Sequence, residues 1–557
     1  MSFRHALFAM ALGLALPAGL ACASDADVNR LAKQAAAAYA AKDYVASGDG
    51  FAAAIAAGGK EEPALYYNAA CAYALAGRLE TAFDFLRQAT DAGFTNVSAI
   101  RADADLAALR ADPRFEKLLV DTEKLQQRRL RMWSSPAFVT PYQPILDEDQ
   151  RIAGLSRLWS EAKFNFANFD LVPDLDWDAL YTRTLPRVRA APDTAAYYQA
   201  LRGFVAELHD GHSSITLPAA VADQLEAQPG LRTALVEGRV FVRELLDPAL
   251  AATGIAPGME IVAIEGQPVK SWAQAQVEPY QPASTPQDRA ARTYERALLS
   301  GPLDRPVRVG LRDKDGRTRE ASLPRMSAKA FETAYWGGPT FDMKMLPGGI
   351  AYVRILHFGN ASAVDAFEAR FGEIAGATAL IVDVRDNGGG NSGEGYRLLS
   401  LLTDKPFRTS RWRTRQYVPA NRAWSRPEGV HGGEAGEVQP DGKRLYTGPV
   451  LVLTSARTYS AAEDFVVAFD AMKRGRLVGE ATGGSTGQPL FFDLPGGGKA
   501  RICTKRDSYP DGREFVGIGV QPQVTVHPSV ADLRAGRDTV LQAAIALVGA
   551  KLADNPG

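Results

Sequence analysis

The sequence predicts a multidomain chain: an all-α repeat domain, then a helical segment, a β-rich domain and an α/β core. Three observations predict it. At 557 residues the chain is too long for one compact core. Its Ala-rich start repeats aromatic and glycine positions at a fixed interval. From Gly348 onward, apolar runs bounded by glycines alternate with helical patterns, which is the signature of an α/β layer. The balance of 63 Lys+Arg against 64 Asp+Glu gives no reason to expect nucleic acid or an anionic membrane as partner. The hydrophobic content, 46%, is that of a soluble globular protein.

Residues 1–23 read as an export signal. Arg4 and His5 give a basic start, Ala6–Leu16 is an apolar core, and Pro17–Gly19 breaks it. Ala21-Cys22-Ala23 then forms a small-residue cleavage site before Ser24. The run is too short to span a bilayer, and no later segment approaches the required length. The expected location is the periplasm or the medium. Cys22 leaves a lipid-anchored alternative open, and Gly19 argues against it, because a branched apolar residue is expected there. After cleavage Cys71 and Cys503 remain in different expected domains, which speaks against a disulfide framework.

Within residues 24–125, Tyr39 and Tyr73, Phe51 and Phe85, and Gly59 and Gly93 are each 34 residues apart. That is the period of the tetratricopeptide repeat, a helix–turn–helix unit that buries one face against the next unit. The second copy, Ala64–Gly93, resembles that family; helices around Ala104–Leu119 would cap the pair. Residues 126–147 hold Pro136, Pro141 and Pro144 and read as a linker. Residues 148–222 carry helical patterns from Ile152 to Leu208. Residues 223–330 form the β-rich section, opened by Val240–Val242 and continued by GIAPGMEIVAIEGQPV, Gly254–Val269. That stretch resembles the core of a PDZ domain, which binds extended peptides by adding a strand. A helical insertion is expected over 270–304, strand again over Val307–Leu323, and an α/β core over 331–550.

Three stretches carry chemistry. In VLVLTSARTYSAAEDF, Val450–Phe465, an apolar strand stops at a polar turn and Ser460 opens an Ala-rich helix. A serine there stands beside the free N–H groups of a helix N-terminus, which can hold an oxyanion. It is equally placed to be an ordinary N-cap. In ALIVDVRDNGGGNSGEG, Ala379–Gly395, a buried strand runs into three glycines whose N–H groups a ligand can approach. No Lys-Ser/Thr follows, so a phosphate loop fits poorly; a plain turn and an anion cradle stay open. In LHDGHSSI, Leu208–Ile215, two of the six histidines, His209 and His212, share a polar loop. No third ligand of metal-binding type stands nearby, and a general base for a serine is the alternative to a solvated loop.

Together these stretches resemble the C-terminal-processing and tricorn-core serine peptidases, over about Ile152 to Val526. Asn387–Gly390 matches the family's Asn-Gly-Gly-Gly loop, Ser460 its nucleophile in TYSAAED, and Gly517–Val526, GIGVQPQVTV, its closing segment. The resemblance implies a ClpP/crotonase-like catalytic core and tail-specific proteolysis. One variant of the family carries a lysine about twenty-five residues after the serine, a register occupied here by Ser485. The other uses a histidine in Asp-Gly-His-Ser/Thr, matched by Asp210–Ser213. The resemblance therefore implies Ser460 as nucleophile, His212 as general base, and N–H groups of Ala461 and of Gly388 or Gly389 as oxyanion hole. The usual supporting acid is replaced by Val516. Glu514, two residues earlier and on the same side of a strand, is the expected substitute, with Asp464 or Glu463 as alternatives. No metal and no organic cofactor is implied. The expected protein is an exported serine endopeptidase acting on peptides or proteins, with a partner recruited by the repeat domain. The rival expectation is a catalytically weak or inactive scaffold of the same fold. A small-molecule esterase fits less well, because its substrate needs no strand-addition groove.

Overall fold

The computed structural model describes residues 25–554. The expected export signal, 1–23, and its Cys22 lie outside the described residues. Two compact units meet at the Ser135–Pro136 boundary. Among the described residues no helix is long and apolar enough to cross a membrane.

The first unit is helical. Tyr44–Ala56, Pro63–Leu75 and Leu79–Ala92 pack in succession, each on the next. Small residues let them approach: Ala69, Ala70 and Ala82 are fully buried around Phe51, Tyr73 and Leu86. Gly93 ends its helix at φ +115, whereas in the preceding hairpin Gly58, not Gly59, takes positive φ. The sequence repeat is therefore offset by one residue at that turn. The last helix, Pro113–Trp133, runs into the stretch expected as linker. The physical reason is local: KLQQRRLR is made of good helix formers, and no proline interrupts it before Pro136.

The second unit starts with helices Glu148–Asn165, Trp177–Arg189 and Thr194–Ala206. An antiparallel sheet follows, in the spatial order Leu231–Val236, Arg239–Leu245, Glu260–Ile264, Val307–Arg312, Thr318–Leu323. It opens earlier than the Val240 start expected from sequence, because Leu231–Val236 pairs as a hairpin through Glu237 and Gly238, both at positive φ. Short helical turns between Val269 and Arg296 interrupt this sheet and reach the loops of the core.

The core is a six-stranded sheet whose strands lie side by side in chain order: β1 (Phe341–Leu346), β2 (Ile350–Ile355), β3 (Ala379–Asp383), β4 (Val450–Thr454), β5 (Arg476–Gly479) and β6 (Val524–Thr525). β1 and β2 pair antiparallel; all other neighbours are parallel. Every residue of β3 and β4 is buried, as expected for parallel strands covered on both faces. Leu380, Val382, Val450 and Val452 pack with Phe358, Phe367, Phe465 and Phe469 on one face. Ile381, Leu451 and Leu453 face Val540, Ala544 and Val548 of the helix Thr539–Asp554 on the other. Because β3, β4 and β5 are parallel neighbours, the loops leaving their carboxyl ends converge on one edge of the sheet, where open α/β sheets place ligands.

Candidate active site

The three loops are tied to one another by hydrogen bonds that leave Ser460 little freedom. Ser455 Oγ donates to Arg385 O at 2.7 Å, and Thr458 Oγ1 to Val384 O at 2.8 Å. Tyr459 N–H donates to Asn387 O, and Ser460 N–H to Ser485 O at 3.1 Å. Ser460 itself stands on the corner before the helix Ala461–Ala471 at φ 55 and ψ −126. Such a backbone costs a residue with a side chain about 1–3 kcal/mol and persists only where the surroundings hold it. Strain of this kind presents a hydroxyl at a strand-to-helix turn.

His212 arrives from a distant part of the chain. Ser214–Thr216 pairs antiparallel with Lys499–Cys503, and Ser213 Oγ accepts the Cys503 N–H while donating to Asp210 Oδ2 at 2.6 Å. These ties bring His212 Nε2 to 3.0 Å from Ser460 Oγ. On its other side, Nδ1 lies 2.8 Å from Ser485 Oγ. The ring stacks on Tyr459 at 5.3 Å between centroids, and Tyr459 Oη donates to Asp288 Oδ2. The glycine of the Asp-Gly-His motif has a steric reason, since a side-chain carbon on Gly211 would lie 1.7 Å from Tyr459 Oη. Burial, helped by the charges of Arg501, Arg292 and Lys505, lowers the His212 pKa to about 3. The ring is therefore neutral, with a lone pair free to accept a proton.

Gly389 leaves the space in front of the serine open. A side-chain carbon there would stand 2.6 Å from Ser460 Cβ and 3.0 Å from Ala461 N, and its φ of +101 suits glycine. Its own N–H is taken, donating to Asn387 Oδ1 at 2.9 Å. Gly388 lines the cavity that holds Ser460 and His212, a space of about 450 Å³. Of the three backbone groups expected to bind an oxyanion, Gly388 and Ala461 are brought to the serine with their N–H groups uncommitted, and Gly389 supplies room.

Residues 349–526 match the sequence model of peptidase family S41. Over that stretch, which carries the glycine loop and Ser460, the protein is of the S41 type. A chloroplastic C-terminal processing peptidase of Tetradesmus obliquus is 27% identical over 242 residues, 42% of this chain and 48% of that protein. A tricorn protease homologue of Streptomyces coelicolor is 24% identical over 408 residues, 69% of this chain and 31% of the homologue. The chain thus spans about half of the first relative and about a third of the second. The structure of mature CPAF complexed with lactacystin superposes with a TM-score of 0.55 at 16% identity, over 72% of this chain and 98% of that one, a likeness of fold.

Glu514 is not brought to His212. It pairs with Arg413 at 3.3 Å and is 40% exposed. The same-side argument required a strand, but Glu514 forms only an isolated bridge with Ser508, and the chain turns at once through Val516–Ile518. Val516 is buried in the apolar core. The group on Nδ1 is instead Ser485, which the sequence signalled only by occupying the register of the other variant's lysine. Ser485 is fully buried and is fixed by Glu463, whose Oε2 accepts the N–H of Ser485 at 2.9 Å and of Ser460 at 3.3 Å. Its Oε1 accepts Thr482 Oγ1 and Gly484 N. Burial pulls the Glu463 pKa up to about 8 against these four donors, which favour the charge. Asp464 points elsewhere, accepting from Ser392 and Ser410. His209 lines a separate cavity with Ser284 and Arg289. Among the described residues, Cys71, Asp103 and Asp105 are the one group spaced to share an ion, and Tyr67 and Tyr39 already donate to those aspartates.

Proposed function

We propose that this chain is an exported serine endopeptidase that cleaves peptide bonds through an acyl-enzyme on Ser460. The observation that carries the reading is the 3.0 Å approach of His212 Nε2 to Ser460 Oγ, made by residues 248 apart in sequence. With Nδ1–H donating to Ser485 Oγ, the Nε2 lone pair faces the Ser460 hydroxyl. His212 takes the hydroxyl proton as Oγ attacks the peptide carbonyl carbon. The N–H groups of Ala461 and Gly388 receive the oxyanion, each such donor being worth about 10²- to 10³-fold in rate. On collapse the C–N bond breaks, and the amine leaves with the proton held by His212. Water then hydrolyses the ester by the same route in reverse.

The remaining parts are given roles on the same reading. Residues 1–23 direct export to the periplasm or medium, 24–125 form a tetratricopeptide-like unit that recruits a protein partner, and 126–147 join it to the peptidase. Residues 148–222 carry the base, 223–330 are a PDZ-like domain that docks an extended peptide, and 331–550 are the catalytic core. The Thr318–Leu323 edge strand, mostly exposed, supports docking by strand addition. A fluorophosphonate probe tests the proposal: labelling of the folded protein at Ser460, lost in Ser460→Ala together with hydrolysis of an unfolded protein substrate, is expected. Turnover by Ser460→Ala at the wild-type rate overturns it. Folded wild-type protein that neither labels nor hydrolyses favours the scaffold reading.

A further inference from the structure

The cavity in front of Ser460 is lined by Arg232, Arg292, Arg296, Arg457 and Arg501. Four of these are answered by carboxylates. Arg292 pairs with Asp288 at 2.6 Å, and Arg296 with Glu332. Arg457 pairs with Asp386 and Glu295, and Arg232 with Glu244 at 3.7 Å. Arg501 alone among them has no carboxylate within ion-pair distance among the described residues. Its Nε donates to Ser214 Oγ at 2.9 Å, and its Nη2 to Gly211 O at 3.2 Å, both neutral acceptors. Nη1 has no acceptor among the described residues. The side chain is anchored beside His212 on a strand of the three-stranded sheet, with its position set by the Ser214–Arg501 pairing. Buried Asp210 attracts this guanidinium without reaching ion-pair distance, so a half-buried charge is left without a direct ion pair, an arrangement that a carboxylate entering the cavity relieves.

On the reading of Ser460 and His212 given above, we propose that Arg501 is a specificity residue that pairs with a carboxylate of the peptide substrate, on the His212 side of the scissile bond. A guanidinium held by two neutral acceptors keeps its remaining N–H groups aimed, and a carboxylate matches their geometry. That carboxylate comes either from an aspartate or glutamate side chain or from the free end of the substrate chain. Burial first, and then the charges of Arg501, Arg292 and Lys505, hold the His212 pKa down. Binding of an anion there also raises the basicity of the imidazole, so that the correct substrate improves its own general base.

The test uses the full chain and matched peptides bearing Glu or Gln beside the cleaved bond, each with a free or amidated C-terminus. Rates are measured on the wild type and on Arg501→Gln. Equilibrium binding of the same peptides is measured by fluorescence anisotropy on Ser460→Ala. The expected result is a preference for the carboxylate-bearing peptide of about 10- to 100-fold in kcat/KM and in affinity, collapsing toward unity in Arg501→Gln. Dependence on Glu over Gln assigns the side chain as the source. Dependence on the free terminus assigns the chain end. Equal binding and equal rates for all four peptides overturn the proposal while leaving the serine mechanism standing. Absence of turnover and of probe labelling, with carboxylate-selective binding retained, overturns the mechanism and leaves the subsite standing. The selectivity ratio is the deciding readout, because a merely structural role for Arg501 lowers the rates on all peptides together.

Discussion

Ser485→Ala isolates the contact that replaces the expected acid. Ser485 is held in place by its backbone, through its N–H to Glu463 and its carbonyl to the Ser460 N–H, so deleting Oγ removes the 2.8 Å contact to His212 Nδ1 and leaves the loop tied. Nδ1 is then a buried donor without an acceptor, which costs about 1–3 kcal/mol. If that cost falls on the orientation and tautomer of the ring, kcat drops about 10- to 100-fold, at about 1.4 kcal/mol per tenfold, with KM little changed. The control is Glu514→Ala. Glu514 is exposed beside Arg413, so its loss should leave kcat within about twofold and stability within about 0.5 kcal/mol. Both variants are assayed on one fluorogenic peptide, with steady-state kinetics and thermal melts. Wild-type kcat in Ser485→Ala would show that stacking on Tyr459 suffices to orient the base. A large loss in Glu514→Ala would show that the acid expected from sequence acts on His212 after all.

Two further outcomes follow from the site's geometry and charge. A histidine is neutral above its pKa, and that of His212 is lowered to about 3 by burial and by Arg501, Arg292 and Lys505, so its ring should stay neutral as pH falls from 8 to 5. The shift of its labelled Cε1, assigned by comparison with His212→Gln, checks this; titration near 6.5 would refute it. Gly389→Ala places a carbon 2.6 Å from Ser460 Cβ at a φ of +101 and should lower kcat by more than about 100-fold. Gly388→Ala meets open space, keeps its N–H and should lose at least about tenfold less. Equal effects of the two substitutions would refute the assigned shape of the oxyanion pocket.

The order of elements in the core was legible because it depends on local pattern. The largely apolar runs Ala379–Val384 and Val450–Thr454, each ending at a glycine loop or a Thr/Ser turn, read as buried strands followed by loops. From these the serine, the glycine loop and the base were each readable as separate pieces. The continuation of Pro113–Trp133 was misread because three prolines outweighed a run of good helix formers that ends before the first of them. The support of His212 was misread for a different reason. The argument for Glu514 extended a strand's two-residue period through residues that turn instead.

What the sequence determined by itself is the chemistry available: a serine on a helix-opening corner, a glycine loop, one histidine in an Asp-Gly-His-Ser motif, and no lysine in register. Short-range patterning encodes such things. Only the tertiary structure decided the pairings: Ser485 on Nδ1, Glu463 beneath it, and Arg501 held by Ser214 and Gly211 with no direct ion pair beside the base. Those contacts join segments more than 200 residues apart in the cases of His212 with Ser485 and Arg501 with Gly211. Their distances are set by the antiparallel pairing of Ser214–Thr216 with Lys499–Cys503 and by the convergence of the core loops on one sheet edge, which no local window of sequence contains.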